Sequence, residues 1–186
     1  MLPGVKWGWA LLAAIALDAL SCTGASPRLA RLHLELAPAS LGRSLSLQQH
    51  LIVESPERID ELDVALEVDP ERLDLVGLAL GQRIFALHYD GHSLQSWRHP
   101  LVPEQLRGAD VLEDLQLTLW PLDVIKKALP EGWNIEDVGR RRTLRWGDHP
   151  VLVIDYSGEP RWSGKIQLTN LQYQYRLTIQ SVSSAP

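Results

Sequence analysis

One cysteine in 186 residues cannot close an intramolecular disulfide, so stability has to come from packing. No apolar run reaches the roughly 20 residues that cross a bilayer as a helix. Neither sign of charge dominates. Eighteen Lys and Arg stand against 23 Asp and Glu, a net −5 without a basic stripe, which argues against nucleic acid as a partner. There is no Gly-x-Ser-x-Gly elbow and no phosphate loop. His88 and His92 flank Asp90-Gly91, with His99 further on, but no cysteine or carboxylate motif joins them, and zinc needs three or four ligands. The adjacent carboxylates Asp60-Glu61 and Glu113-Asp114 point apart on a strand or helix, so spacing alone does not pair them for acid–base work. A hydrolase of lipid esters would require a nucleophile, base and oxyanion donors in contact, which the sequence does not advertise. No catalytic residue, metal or cofactor is therefore expected.

What is present reads as one globular domain, 45% hydrophobic and 22% charged, behind a leader. Lys6, the apolar run Trp7 to Leu17 and the small residues before Cys22 have the three-part build of a secretory signal. Residues 1–21 are read as the signal, 22–27 as a small polar tether and 28–186 as the domain. Cys22 resembles the lipidated cysteine of a bacterial lipoprotein. Ser21 suits the small position before it, whereas the usual leucine place holds Ala19, with Leu20 one later. The resemblance implies cleavage before Cys22 and attachment of a diacylglyceryl group plus an amide-linked chain such as palmitate. Two or more chains hold a protein firmly on a membrane, one only marginally. Thr23, where aspartate would retain the protein in the inner membrane, implies delivery to the periplasmic face of the outer membrane. The alternative is an ordinary signal with an incidental cysteine, or an anchor that is never cut.

Beyond the tether the apolar pattern has period two. Leu32, Leu34 and Leu36 predict a half-buried strand ended by Pro38, and Leu45 to Val53 another. Leu62, Val64, Leu66 and Val68 predict the next, turned at Asp69-Pro70-Glu71, and Leu73 and Leu75 begin a strand reaching Gly77. The segment 78–82 is predicted as a loop, unusually rich in leucine. Arg83 to Tyr89 is apolar on both faces at residues 84–87. It should be covered on both sides or line an apolar cavity, before a two-residue hairpin at Asp90-Gly91. The period then changes. Asp110 is a plausible N-cap for a helix carrying Val111, Leu112, Leu115 and Leu119, and Leu122, Ile125 and Leu129 predict a second, stopped by Pro130 and Gly132. Residues 137–142 read as a charged hairpin tip, Val151 to Tyr156 as an apolar strand, and the last strand carries Tyr173, Tyr175, Leu177 and Ile179 on one face. The tail from Ser183 should fray. The sum is a mainly β, α+β fold. A single curled antiparallel sheet forms an unclosed half-barrel, and short helices plug its concave face.

The order of Glu71-Arg72-Leu73-Asp74-Leu75, Leu78-Ala79-Leu80-Gly81, the Asp90-Gly91 hairpin, the helix, Pro121-Leu122-Asp123-Val124-Ile125 and Leu129-Pro130-Glu131-Gly132 resembles LolB. LolB is the outer-membrane lipoprotein that receives lipoproteins from the carrier LolA. The stretches Leu-Val-Gly-Leu, Leu-Gly-Gln-Arg, Tyr-Asp-Gly and Tyr-Arg-Leu-Thr-Ile resemble more closely an uncharacterised family of proteobacterial lipoproteins. Its members tend to be encoded near aryl-polyene lipid genes. The LolA/LolB likeness implies an apolar cavity in a half-barrel and a membrane-touching loop leucine. Leu80, before Gly81, matches that place, although the proline preceding the leucine in LolB is absent.

The candidate site is therefore a lipid-contact loop, Leu78, Leu80 and Gly81, with a cavity wall of Phe85, Leu87, Trp120, Leu122, Ile125, Tyr173 and Tyr175. A tight turn folded back on the core is the plainer meaning of the leucines, and core packing that of the aromatic residues. Arg140-Arg141-Arg142 suits lipid headgroups or an acidic partner, or simply a solvated tip. The tryptophans Trp97, Trp120, Trp133, Trp146 and Trp162 suit a cavity, a membrane interface or the core. The expectation is a monomeric, non-enzymatic protein that binds acyl chains and passes a lipid or lipoprotein, with aryl-polyene lipid a candidate cargo. Its partners would be the membrane, that cargo and a periplasmic carrier protein. The alternative is an assembly module acting by protein contact, its interior filled by its own side chains.

Overall fold

The computed structural model describes residue 29 and residues 31–182. The signal, Cys22, the tether and the tail after Val182 lie outside the described residues. Ten strands form one antiparallel sheet, open at both edges. They are β1 (Leu45–Glu54), β2 (Ile59–Val68), β3 (Leu73–Ala79), β4 (Gln82–Tyr89) and β5 (Leu94–Arg98), then β6 (Trp133–Val138), β7 (Arg141–Trp146), β8 (His149–Tyr156), β9 (Lys165–Asn170) and β10 (Tyr175–Val182). The spatial order is β5-β4-β3-β2-β1-β10-β9-β8-β7-β6. Two five-strand meanders thus join where β10 pairs with β1, Leu51 opposite Ile179 and Val53 opposite Leu177. Between β5 and β6 the chain forms α1 (Gly108–Leu119) and α2 (Leu122–Ala128), α1 lying against β5 and α2 against β6. The mainly β class and the unclosed sheet agree with the expectation.

The period-two pattern determines which face is buried. Val64, Leu66 and Val68 on β2, Leu73 and Leu75 on β3, and Phe85, Leu87 and Tyr89 on β4 are all buried, while Asp63, Ala65 and Glu67 are exposed. Across the seam the same face continues through Ile166 and Leu168 on β9, Leu152 and Ile154 on β8, and Leu144 and Ile135 on β7 and β6. Trp120, wholly buried at the end of α1, closes that core and donates its indole N–H to Ser40 Oγ at 2.9 Å. Burying such a ring contributes about 1.5–3 kcal/mol. Pro121 stops α1, because a residue preceding proline is pushed from helical to extended backbone.

Four expectations change. Residues 31–37 pair with no strand, and His33 takes a left-handed φ of 50°; they run along α1 instead. Glu113 Oε2 accepts the His33 N–H at 2.6 Å, and the Gln116 amide exchanges two hydrogen bonds with the Leu36 backbone at 2.9 and 3.0 Å. That is why Glu113 and Gln116, rather than Leu119, lie on the buried face of α1. The helix begins at Gly108, not after Asp110. Asp110 sits in its first turn, where the helix dipole favours a carboxylate and both its oxygens accept from Arg107. The β4–β5 connection is four residues, 90–93, with Asp90 Oδ1 accepting from His92 and Ser93 N–H. Finally, β10 starts at Tyr175, and Tyr173 lies in the turn before it.

Candidate functional site

The segment 78–82 is not a five-residue loop. Leu78 and Ala79 are half-buried strand residues paired with Arg83 and Gln82, and the connection is the two-residue turn Leu80-Gly81. Both residues have positive φ, 50° and 74°, the backbone of a type I′ hairpin turn. Glycine suits that conformation; leucine does not, because its Cβ crowds the following carbonyl. Leu80 is also fully exposed, at 104% of its reference surface. Of the three expected loop residues, Leu80 and Gly81 form the tip and Leu78 stays in the sheet.

The expected cavity wall divides. Phe85, Leu87, Trp120 and Ile125 lie in the packed core at 0–3% exposure, and Leu122 is half-buried beside it. They line neither of two cavities found elsewhere on the sheet. One, between residue 31, α1 and β7–β9, holds about 10 Å³, roughly the space of one water. The other is an open cleft of about 300 Å³ between the end of β1 and the β9–β10 turn. Tyr175 and Leu171 give it an apolar side, and Glu54, Asn170 and Arg176 a polar one.

Tyr173 and Tyr175 belong to a polar seam. Arg31, with 7% of its side chain exposed, donates to Asp114 at 2.7 Å and to the Tyr175 hydroxyl at 2.8 Å, and stands 3.6 Å from Glu113. Its guanidinium lies over the Tyr173 ring at 4.8 Å. Its Nε is buried without a hydrogen-bond partner. Adjacent carboxylates thus do converge, on one arginine. Burial pushes the Glu113 and Asp114 carboxyls above their usual range, against the pull of Arg31. Burial likewise raises the Tyr175 hydroxyl, with the Asp114 charge acting in the same sense. Leu29 joins this seam, its carbonyl accepting from Tyr173 Oη at 3.0 Å.

The arginine run at the β6–β7 tip is split. Arg140 and Arg141 are exposed, Arg141 bidentate to Asp155. Arg142 is 2% exposed. It grips both oxygens of Asp137 and donates to the Leu117 and Trp120 carbonyls at 2.7 and 2.9 Å, satisfying the C-terminal end of α1. Burial acts to raise the Asp137 carboxyl, but hydrogen bonds from Arg142 and Arg161 hold it below its usual range. The sequence signal was available: Asp137 and Arg142 occupy facing positions of a tight hairpin.

The histidines do not gather. His88 Nδ1 lies 2.7 Å from Asp74 and His50 Nδ1 3.0 Å from Asp63, and among the described residues no group of three potential ligands could hold a metal. The tryptophans serve different ends. Trp133 and Trp146 meet edge to face at 5.4 Å, and Trp97 and Trp162 carry Arg83 and Arg43 over their rings. Ile59, Leu101, Leu106 and Leu171 are exposed residues that sequence reasoning passed over. Each stands within a few positions of a turn-forming proline or asparagine.

No curated protein matches the chain. Among solved structures it is similar to a candidate outer membrane lipoprotein-sorting protein domain from Vibrio parahaemolyticus. Identity is 9% and the TM-score 0.39, over 74% of this chain and 83% of that one. Residues 46–183 match the family model described as Protein of unknown function (DUF3261), and the chain belongs to that family.

Proposed function

We propose that the protein is a non-enzymatic lipoprotein, anchored through Cys22 on the periplasmic face of the outer membrane, that assists transfer or insertion of a lipid or lipoprotein. Leu80 is its membrane contact. The observation that carries this reading is the tip itself: a fully exposed leucine held in a left-handed turn where asparagine or glycine would be less strained. An apolar side chain that gains nothing from the fold gains from a lipid surface. The filled interior at Phe85, Leu87, Trp120 and Ile125 supports delivery by surface contact over storage of a chain beneath the sheet.

The same filled interior favours a second reading, an assembly module that acts by protein contact without lipid cargo. Reconstituted transfer to acceptor vesicles separates the two. Leu80→Glu should fold as the parent does, because its side chain touches no core residue, and should transfer far less. Transfer at the parental rate would overturn the proposal. Native mass spectrometry of the lipidated chain adds a second readout: a co-purifying lipid beyond its own anchor supports transfer over the assembly module.

A further inference from the structure

Strand direction alternates through the sheet, so every turn belongs to one of two ends. The β1–β2, β3–β4, β7–β8 and β9–β10 turns lie at one end, and the chain leaves β5 and enters β6 there too. The β2–β3, β4–β5, β6–β7 and β8–β9 turns lie at the other. Among the described residues eight large apolar side chains are exposed. Six belong to the first end: Ile59, Leu80, Leu101, Leu106, Trp146 and Leu171. Trp97 lies on the flank of edge strand β5, and Val138 alone is at the opposite end. The side chains come from five separate connections, so no local sequence effect gathers them. An apolar rim of this kind marks an interaction surface.

We infer that this rim is the docking face of the protein on a lipid bilayer, setting the strands to rise away from the membrane. The inference rests on the membrane-contact reading above and extends it from one leucine to the whole end of the sheet. The course of the chain commits the occupant to lipid. Leu29 lies beside the β9–β10 turn, its carbonyl bound by Tyr173, and residues 31–37 then run along α1 toward the other end. Seven positions separate Leu29 from Cys22, a stretch that spans at most about 25 Å when fully extended. The ten residues of β1 span about 33 Å. A lipid on Cys22 therefore holds the apolar rim near the bilayer and cannot reach past the sheet to its opposite end.

The test uses the full lipidated chain in vesicles of phosphatidylethanolamine and phosphatidylglycerol. The single native cysteine carries the lipid, so an introduced thiol is the one that labels, and the parent chain gives the background. Ile59→Cys, Leu106→Cys, Leu171→Cys and Val138→Cys are each tagged with an environment-sensitive fluorophore. The expected result is a blue-shifted emission and several-fold stronger quenching by acyl-chain quenchers at the three rim positions, with position 138 remaining aqueous. Aqueous emission at all four positions, or burial of position 138, would overturn the inference. So would rim burial that appears only on adding a second protein. Leu80→Glu combined with each rim label keeps the two proposals apart. Lost transfer with the rim labels still buried upholds docking and Leu80's separate role. Parental transfer with buried rim labels sinks the role of Leu80 alone.

Discussion

Leucine 80 should be a stability defect that the protein retains, and replacing it by asparagine measures the defect. At φ 50° an L-residue other than glycine or asparagine loses about 1–2 kcal/mol to the clash of its Cβ with the following carbonyl. Asparagine tolerates that region, and Asn-Gly is the preferred pair for the type I′ turn that Leu80-Gly81 makes. Nothing offsets the gain, because Leu80 is fully exposed and its removal uncovers no core surface. Leu80→Asn should therefore stabilise the fold by about 1 kcal/mol, raising Tm by about 2–4 °C for a chain of this size. Urea unfolding followed by far-ultraviolet circular dichroism should show a higher midpoint with an unchanged slope, since the surface exposed on unfolding does not change. The same variant should transfer lipid or lipoprotein less well than the parent, having lost its apolar tip. Opposite signs in the two assays are the signature of a residue retained for contact and not for folding. A neutral or lowered midpoint would refute the reasoning, because it would mean that the leucine packs against something or that the turn is not left-handed.

Two buried charge clusters give further predictions. Arg142→Ala removes the partner of Asp137 and the donor to two helix-end carbonyls, and should lower unfolding stability by about 3–5 kcal/mol, whereas Arg141→Ala, at an exposed pair, should leave the urea midpoint nearly unchanged. Glu113 binds its proton more tightly in the fold than in the unfolded chain, so its contribution is present at low pH and is lost as pH rises above the ordinary glutamate range. Glu113→Gln, which still accepts from His33 N–H, should flatten that slope and raise the urea midpoint at pH 7, relative to the parent, more than at pH 4. Asp137 acts in the opposite sense, its stabilisation fading only as pH falls below the usual aspartate range.

The sheet was legible because burial on one face writes itself into alternate residues. Val64, Leu66 and Val68 with exposed Asp63, Ala65 and Glu67 allow only one pleat. The helices were legible from the change of period and from Pro121. Their polar contacts were not. Leu32, Leu34 and Leu36 alternate like a strand because they face the core while His33 and Glu35 face outward. Whether a strand or a helix side chain satisfies their backbone depends on what stands beside them, which a single sequence does not record. Arg142 differs: three consecutive arginines look alike when read singly, but the hairpin register that sets Asp137 opposite Arg142 singles out the third.

The tip and the rim were hidden for another reason. A turn is recognised by asparagine, glycine, proline and aspartate, and Leu80-Gly81 offers only the glycine, so the strand residues Leu78, Ala79 and Gln82 beside it blurred into a longer loop. Apolar residues are assigned to the core by default, and Ile59, Leu101, Leu106 and Leu171 each look like one more core position when counted singly. Only the alternation of strand direction shows that they share an end. That end is where Leu29, the residue closest to Cys22 among those described, meets the β9–β10 turn. The lipid anchor proposed at one cysteine and the exposure spread over five connections rest on different residues, and both point to the same face.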